Sequence, residues 1–516
     1  FTRITASNDG HGLSSPNAQS IIQDSFGNIW IGNYRGGIDF ISHTQPLFNT
    51  ITYKTEKYGH NCNKQVWGLW ADNNRQIWLG GEGELGIYKE GKEIEIIPLN
   101  QCRLNKQTHI SVIHQDKHGD LWLGTHKHGV AIYHPDTKRI TCIGDDKDGS
   151  LDILCFYEDT DGKIWIGTQS GLYSAYNREL TQEDKINRLL TNKGIRSILR
   201  DKNGKLWIGA KGLFLFDDKG QLFQELTTEQ SFPIRSVNYL MEDSRKRIWV
   251  GTNDGILVFR DASHLEDYSH YGTKEGLQNT NVRAIQEDHD GTIWLSTNAG
   301  ISRLDEKTKT FYNYNHYDGV PMGDFMDGST CISTDGILYF GSQGGACYFT
   351  PGEVNSIRKP APVTITQFSI YDKQTESKDT EHPLPLTDAN IQLPYNQNTF
   401  KISFNVLDYA ISSQVEFSYI LEGLENTWYN TQGEKQIIFR NIPPGHYTFK
   451  VKTRLRNQEW EKDEATLHIR ITPPFWLSWY AKLIYALLII LIIYGVSRFY
   501  KRKLDLESSL EVERKQ

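Results

Sequence analysis

The chain has 516 residues, a net charge of −7, 12% aromatic residues and only three methionines. That length suits two or three domains, the mild acidity excludes a nucleic-acid binder built on a basic face, and the aromatic content favours β structure over a helical bundle. Six scattered cysteines (Cys62, Cys102, Cys142, Cys155, Cys331, Cys347) form no CxxC pair, so the signatures of zinc and thioredoxin sites are missing, and buried strand thiols are expected instead.

The chain opens at Phe1 without an initiator methionine or a signal peptide, and is expected to be part of something longer. From there one motif recurs: "FGNIWIGN" at Phe26–Asn33, "HGDLWLGT" at His118–Thr125, "DGKIWIGT" at Asp161–Thr168, "NGKLWIGA" at Asn203–Ala210 and "DGTIWLST" at Asp290–Thr297. Its aromatic anchors are Trp30, Trp78, Trp122, Trp165, Trp207, Trp249, Trp294 and Tyr339, spaced 42–48 residues apart. That is the period of a four-stranded propeller blade. Asp24, Asp72, Asp116, Asp159, Asp201, Asp243 and Asp288 stand six residues before their anchors, and Ser333 breaks the rule in the last copy. A glycine stands three residues before six anchors, and Arg75 and Lys246 replace it in the others. D-x-x-G predicts a tight turn, with the carboxylate bonded back to the backbone and the glycine at positive φ. Each copy therefore reads as a buried strand, a turn, a second strand ending at a glycine, and two further strands. The repeated Asp and Trp are read as structural.

Eight copies leave two ways to close the ring. If "LFNTITY" at Leu47–Tyr53 completes the Tyr339 blade, residues 46–357 form seven closed blades and residues 1–45 are the last blade of an upstream propeller. If "FTRIT" at Phe1–Thr5 completes it, eight blades close.

The period ends after Phe349, and "RKPAPVTI" at Arg358–Ile365 marks a boundary. Residues 358–474 then alternate with period two. Phe400, Ile402, Phe404 and Val406 share a face, as do Tyr447, Phe449, Val451 and Thr453, and Leu467, Ile469 and Ile471. About seven such runs predict an antiparallel sandwich of immunoglobulin-like size. Residues 477–497 are apolar and about 20 long, enough at roughly 1.5 Å each to cross a hydrocarbon core. Trp476, Trp479 and Tyr480 belt one end, and Arg498, Lys501, Arg502 and Lys503 flank the other, which orients the C-terminus to the cytoplasm. Residues 498–516 are charged and helical, and read either as the start of a signalling helix or as a short solvated tail.

This order of parts, with "FSYILEGLENTWY" (Phe417–Tyr429), "NIPPGHYTFKVK" (Asn441–Lys452) and "PPFWLSWYAKLIY" before the span, resembles the hybrid two-component sensor histidine kinases. The resemblance implies an all-β ectodomain of regulator-type propellers and a three-tyrosine sandwich, then one transmembrane helix. It further implies two seven-bladed propellers, placement in the inner membrane with the propeller and sandwich in the periplasm, and a ligand that is an oligosaccharide. It implies a cytoplasmic kinase, receiver and DNA-binding domain outside this chain.

In a propeller the frame is fixed and the loops vary. Four residues after each anchor stand Tyr34, Glu82, His126, Gln169, Lys211, Asn253, Asn298 and Gln343. Five residues before each turn aspartate stand Gln19, Trp67, Ser111, Leu154, Arg196, Asn238 and Arg283. Both sets should open on one end of the central channel. Amides, a histidine, cations and a tryptophan suit a sugar, whose hydroxyls take hydrogen bonds and whose ring stacks on an aromatic face. Trp67, Glu82, His126, Arg196, Lys211, Asn253, Arg283 and Asn298 are the expected ligand-binding residues, and Arg196, Lys211 and Arg283 favour an acidic sugar. His109, His126 and His128 lie close in sequence, but H-x-H on a loop is a weak metal signal. No catalytic residue, metal or cofactor is expected, and no nucleic acid. The expected partners are an oligosaccharide, the membrane and a second copy of the chain in a homodimer. A propeller glycosidase or lyase and a protein-docking scaffold are the competing readings.

Overall fold

The structure, a computed structural model, describes residues 13–43, 46–52, 54–55, 62–63, 65–90, 92, 94–99, 104, 108–143, 152–176, 187–217, 220–227, 235–354, 361–370, 380–382, 390–409, 411, 414–431, 433–455 and 458–514. Two compact units emerge: residues 45–357, and residues 1–44 together with 358–516.

The repeated motif is a local latch. In one copy, Asp201 Oδ1 accepts the N–H groups of Asn203 (2.9 Å) and Lys205 (2.8 Å), while Oδ2 accepts the indole N–H of Trp207 at 2.8 Å. The same Asp–Trp bond recurs in all seven Asp-bearing copies at 2.8–3.2 Å. A buried carboxylate is thus satisfied by three donors, and a buried indole finds its acceptor. The turn demands positive φ: Gly204 stands at +82°, and Arg75 and Lys246 take the same region at +58° and +66°. In the eighth copy Ser333 Oγ does the carboxylate's backbone work, accepting from Ile337 N–H at 3.1 Å.

In the unit 45–357, four-stranded antiparallel sheets cover residues 68–98, 110–143, 153–189, 197–226, 237–271 and 282–314. A seventh, over 325–349, takes its fourth strand from Asn49–Ile51, paired as Ala346↔Ile51, Cys347↔Thr50 and Tyr348↔Asn49. The innermost strand of each sheet touches that of the next, and Phe325–Ile332 touches Gly68–Ala71, so the seven sheets form a ring. The glycine after the anchor permits this approach. A Cβ at Gly341 would run into the carbonyl oxygen of Val66 on the neighbouring sheet and into the Ser329 hydroxyl. Anchor tryptophans fill the space between sheets: Trp294 lies 4.6 Å from Phe349, and Trp207 lies 5.8 Å from Phe259. The alternative closing strand, Phe1–Thr5, lies outside the described residues. Cys155 and Cys347 are buried within the ring, and burial pushes the Cys155 thiol up to about 12.

The first copy belongs to the other unit. Its strands Ala18–Gln23, Ile29–Asn33 and Gly37–Ile41 form a three-stranded sheet. Trp30 meets Tyr409 edge-on at 5.1 Å, and Asn28 donates to both Asp24 (3.0 Å) and Asp408 (3.3 Å). Ile21, Ile22 and Ile38 of this sheet are exposed.

The sandwich packs a four-stranded sheet on a five-stranded one. The alternating residues Phe400, Ile402, Phe404, Val406, Phe449, Val451, Leu467, Ile469 and Ile471 are buried in one core, as the period-two pattern predicts. Tyr447 donates its hydroxyl to the carbonyl of Pro443 at 2.8 Å, four residues upstream, in the manner of a tyrosine corner. The expectation of a purely antiparallel sandwich needs correction: Asn390–Pro394 pairs in parallel with Glu464–Thr472. Parallel neighbours need a long crossover, and the strands between them supply it.

The apolar segment is a single helix, Trp479–Arg514, with exposed apolar side chains, and is long and apolar enough to cross a membrane. It begins two residues later than the expected 477, because Phe475–Leu477 form a 3-10 turn and the extended Ser478 caps the helix, its carbonyl accepting from Lys482 N–H. At roughly 1.5 Å per residue it is about 54 Å long, well beyond a core of about 30 Å.

Candidate functional site

A bulge sets the aim of the channel-facing residues. In four of the seven innermost strands of the ring, one residue is skipped in the pairing with the second strand. Ser111 falls between the pairs Ile110↔Thr125 and Val112↔Gly124, and Leu154, Asn238 and Arg283 are skipped in the same way. These are the residues five before the turn aspartate. A bulge re-aims a side chain out of the ladder, and in these four sheets it falls on the variable residue; Trp67 and Arg196, at the same offset, stand just before the strands Gly68–Ala71 and Ser197–Arg200.

The result is a cavity of about 440 Å³ lined from six of the seven sheets. Trp67, Ser111, Leu154, Arg196 and Arg283 come from the position five before the turn aspartate, and His126, Gln169 and Gln343 come from the position four after the anchor. The two sets do open on one space. Ile153, Phe325 and Met326 add a buried apolar floor. The remaining lining residues are His109, Asp152, Asp324 and Asp327. None of these was among the expected residues. His109 and Asp152 each stand seven residues before a turn aspartate, two residues before the bulged Ser111 and Leu154. That spacing was the available signal.

Of the expected residues, Trp67, His126, Arg196 and Arg283 line the cavity. Asn298 and Asn253 stand behind it: Arg283 Nε donates to Asn298 at 2.7 Å, Asn253 accepts from Asn238 at 2.7 Å, and Asn238 in turn accepts from Arg196 Nη1 at 2.9 Å. Glu82 faces His109 at 3.7 Å. Lys211 is exposed and does not line the cavity.

The electrostatics differ from the expectation. Arg196 and Arg283 converge on Asp327, at 3.5 Å and 2.7 Å. His126 lies 3.0 Å from Asp152, which also accepts the Lys127 backbone N–H at 2.7 Å. The two guanidinium groups are therefore engaged, and the argument from free cations to an acidic sugar loses its ground. Among the described residues no three His, Cys, Asp or Glu side chains gather as a metal site. Trp67 is half-buried, with His109 edge-on at 6.0 Å, and its enclosed indole N–H has no acceptor among the described residues. Such an unmade bond costs about 1–3 kcal/mol, and a small turn of the ring toward a ligand oxygen would satisfy it.

Comparison with known proteins gives the setting. The two-component regulator propeller model matches residues 12–35, 149–170, 189–212, 231–254 and 276–299, and the Y_Y_Y domain model matches residues 408–472. The extracellular domain of a hybrid two-component system from B. thetaiotaomicron is 36% identical, with a TM-score of 0.81, over 92% of this chain and 64% of that one. A second such extracellular domain from the same organism is 21% identical, with a TM-score of 0.48, over 90% of this chain and 64% of the other. Histidine kinase P4 of Formosa agariphila is 27% identical over 242 residues, 46% of this chain and 18% of the kinase. The chain thus spans less than two thirds of the length of each. It carries two-component regulator propeller repeats and a Y_Y_Y domain, and is built like the extracellular domain of a hybrid two-component system. The apolar C-terminal helix and the first of these extracellular domains support a membrane-anchored chain with an extracytoplasmic domain.

Proposed function

We propose that this chain, built like the extracellular domain of a hybrid two-component system, is the ligand-sensing part of a sensor histidine kinase and binds an oligosaccharide without cleaving it. The observation that carries this reading is the cavity at the ring axis, where the variable positions of the repeat meet over an invariant frame. Polar side chains around an apolar floor, with one indole in the wall, match the two sides of a sugar ring. The remainder of the reading follows from the chain order. The propeller and sandwich lie in the periplasm, the helix crosses the inner membrane, and the cluster Arg498, Lys501, Arg502 and Lys503 holds its far end in the cytoplasm. The sheet 18–41 is the last blade of an upstream propeller, and the helix beyond the span begins a cytoplasmic signalling element. Two copies pair, and the signal ends in a phosphorelay and a transcriptional response.

Trp67→Ala should weaken oligosaccharide binding by about 1–3 kcal/mol if the indole stacks on a sugar ring. Calorimetry against a panel of oligosaccharides, with product analysis of the same mixtures, checks this. Cleaved products would make the chain an enzyme, and a panel without any binder would remove the oligosaccharide.

The joint to the membrane is short. Only Pro473 and Pro474 separate the last sandwich strand, ending at Thr472, from the turn Phe475–Leu477. Thr472 Oγ1 donates to the Leu393 carbonyl at 3.2 Å, and Trp476 meets Tyr395 at 5.2 Å, so the joint is tied to the sandwich on both sides of the prolines. Prolines restrict φ and stiffen a connector. Replacing both by glycine should reduce ligand-dependent reporter output in the full-length parent while calorimetric affinity stays the same. Undiminished output would mean that the joint is not a stiff element.

A further inference from the structure

The charges around the axial cavity are unevenly satisfied. Arg196 and Arg283 share Asp327, and His126 faces Asp152. Asp324 differs. It is half-buried, only its backbone carbonyl is engaged, by Gln343 N–H at 3.0 Å, and its carboxylate has no partner among the described residues. It stands beside the buried Phe325 and Met326, in a cavity whose two guanidinium groups are outnumbered by three carboxylates.

Two consequences follow for a ligand. An acidic sugar would have to displace Asp327 from both arginines and approach an unpaired carboxylate of its own sign. A ligand with an ammonium group would instead give Asp324 its missing partner, in a partly desolvated wall where a charge-assisted bond is strongest. The apolar floor and Trp67 fit the carbon face of the ring that bears it.

We propose that the oligosaccharide end entering this cavity carries a free amine, an amino sugar whose ammonium sits on Asp324. This rests on the oligosaccharide reading above. The site prefers amine-bearing over neutral oligomers, and neutral over acidic ones. Asp327 sets the lower end of that order by holding the arginines away from ligand carboxylates.

The test uses the whole chain in detergent and three probes in calorimetry: glucosamine oligomers, their N-acetylated counterparts of equal length, and galacturonate oligomers. The glucosamine oligomer should bind at least about tenfold more tightly than the N-acetylated one, the effect of one hydrogen bond to a charged group. Asp324→Asn should abolish that preference, so that the glucosamine oligomer binds no more tightly than its N-acetylated counterpart. Asp327→Asn should improve galacturonate binding by freeing Arg196 and Arg283. Equal or tighter binding of the neutral or acidic probe by the unaltered chain would overturn the amine assignment, whatever the variants do, while leaving an oligosaccharide site in place. A preference that survives Asp324→Asn would overturn Asp324 as its source. Failure of all three probes to bind would overturn the oligosaccharide reading itself.

Discussion

Asp159→Ala should cost the propeller about 3–5 kcal/mol, the range for removing one member of a buried ion pair. Asp159 is buried and, among its counterparts, is the one that binds a guanidinium of the next sheet through both carboxylate oxygens. Its Oδ2 accepts Trp165 Nε1 at 2.8 Å, and both oxygens take the guanidinium of Arg200 from the next sheet, at 2.5 Å (Nε) and 2.8 Å (Nη2). The bond to Asp159 raises Arg200 above its ordinary value, so its charge persists at every working pH. Alanine would strand that charge and the indole together. Asp201→Ala removes an indole bond and two backbone bonds but strands no guanidinium charge, so it should cost less. Urea denaturation of both variants checks the ordering. Equal losses would mean that the guanidinium clasp at Asp159 is worth no more than the two backbone bonds that Asp201 makes instead.

Phe48→Ala should cost about 3–5 kcal/mol, although Phe48 precedes the first innermost strand of the ring. Its ring is 1% exposed and lies 4.6 Å from Phe349 and 5.0 Å from Tyr314, in the core shared by the last two sheets. It leads directly into Asn49–Ile51, the strand that completes the seventh sheet. A loss of this size, in a single cooperative transition, would tie the two ends of the ring energetically. A loss below about 1 kcal/mol would mean that the segment from Phe48 to Ile51 adheres without closing anything.

The parts of the fold legible in the sequence are those whose contacts are short in sequence. The Asp–Trp bond spans six residues, so its spacing recurs in seven of the eight copies. The pairing of Asn49–Ile51 is remote, yet it was legible because one copy was surplus and one strand was missing. The sandwich core showed in the alternation of Phe400 to Val406, since one face of each strand is buried. The parallel partner Asn390–Pro394 did not show, because alternation reports a buried face and says nothing of the neighbour's direction. In the site, Trp67, His126, Arg196 and Arg283 could be found by counting from the frame. Asp324 and Asp327 could not. They lie in the copy that lacks the aspartate, on a strand whose pairing jumps from Phe325↔Ser342 to Thr330↔Phe340, so no fixed offset reaches them. That irregular stretch supplies the carboxylates that decide the charge of the cavity.

The latch has one more consequence. Each Asp–Trp bond is made inside a single sheet, and six of the seven sheets send their own residues to the cavity. A sheet can therefore be exchanged for another of the same pattern as a cassette, altering one wall of the cavity without disturbing the rest. Divergence by such piecemeal replacement would let one architecture acquire new specificities a wall at a time. The sheet 325–349 would be the exception: its fourth strand comes from the opposite end of the unit, so a transplant of it must carry a distant passenger.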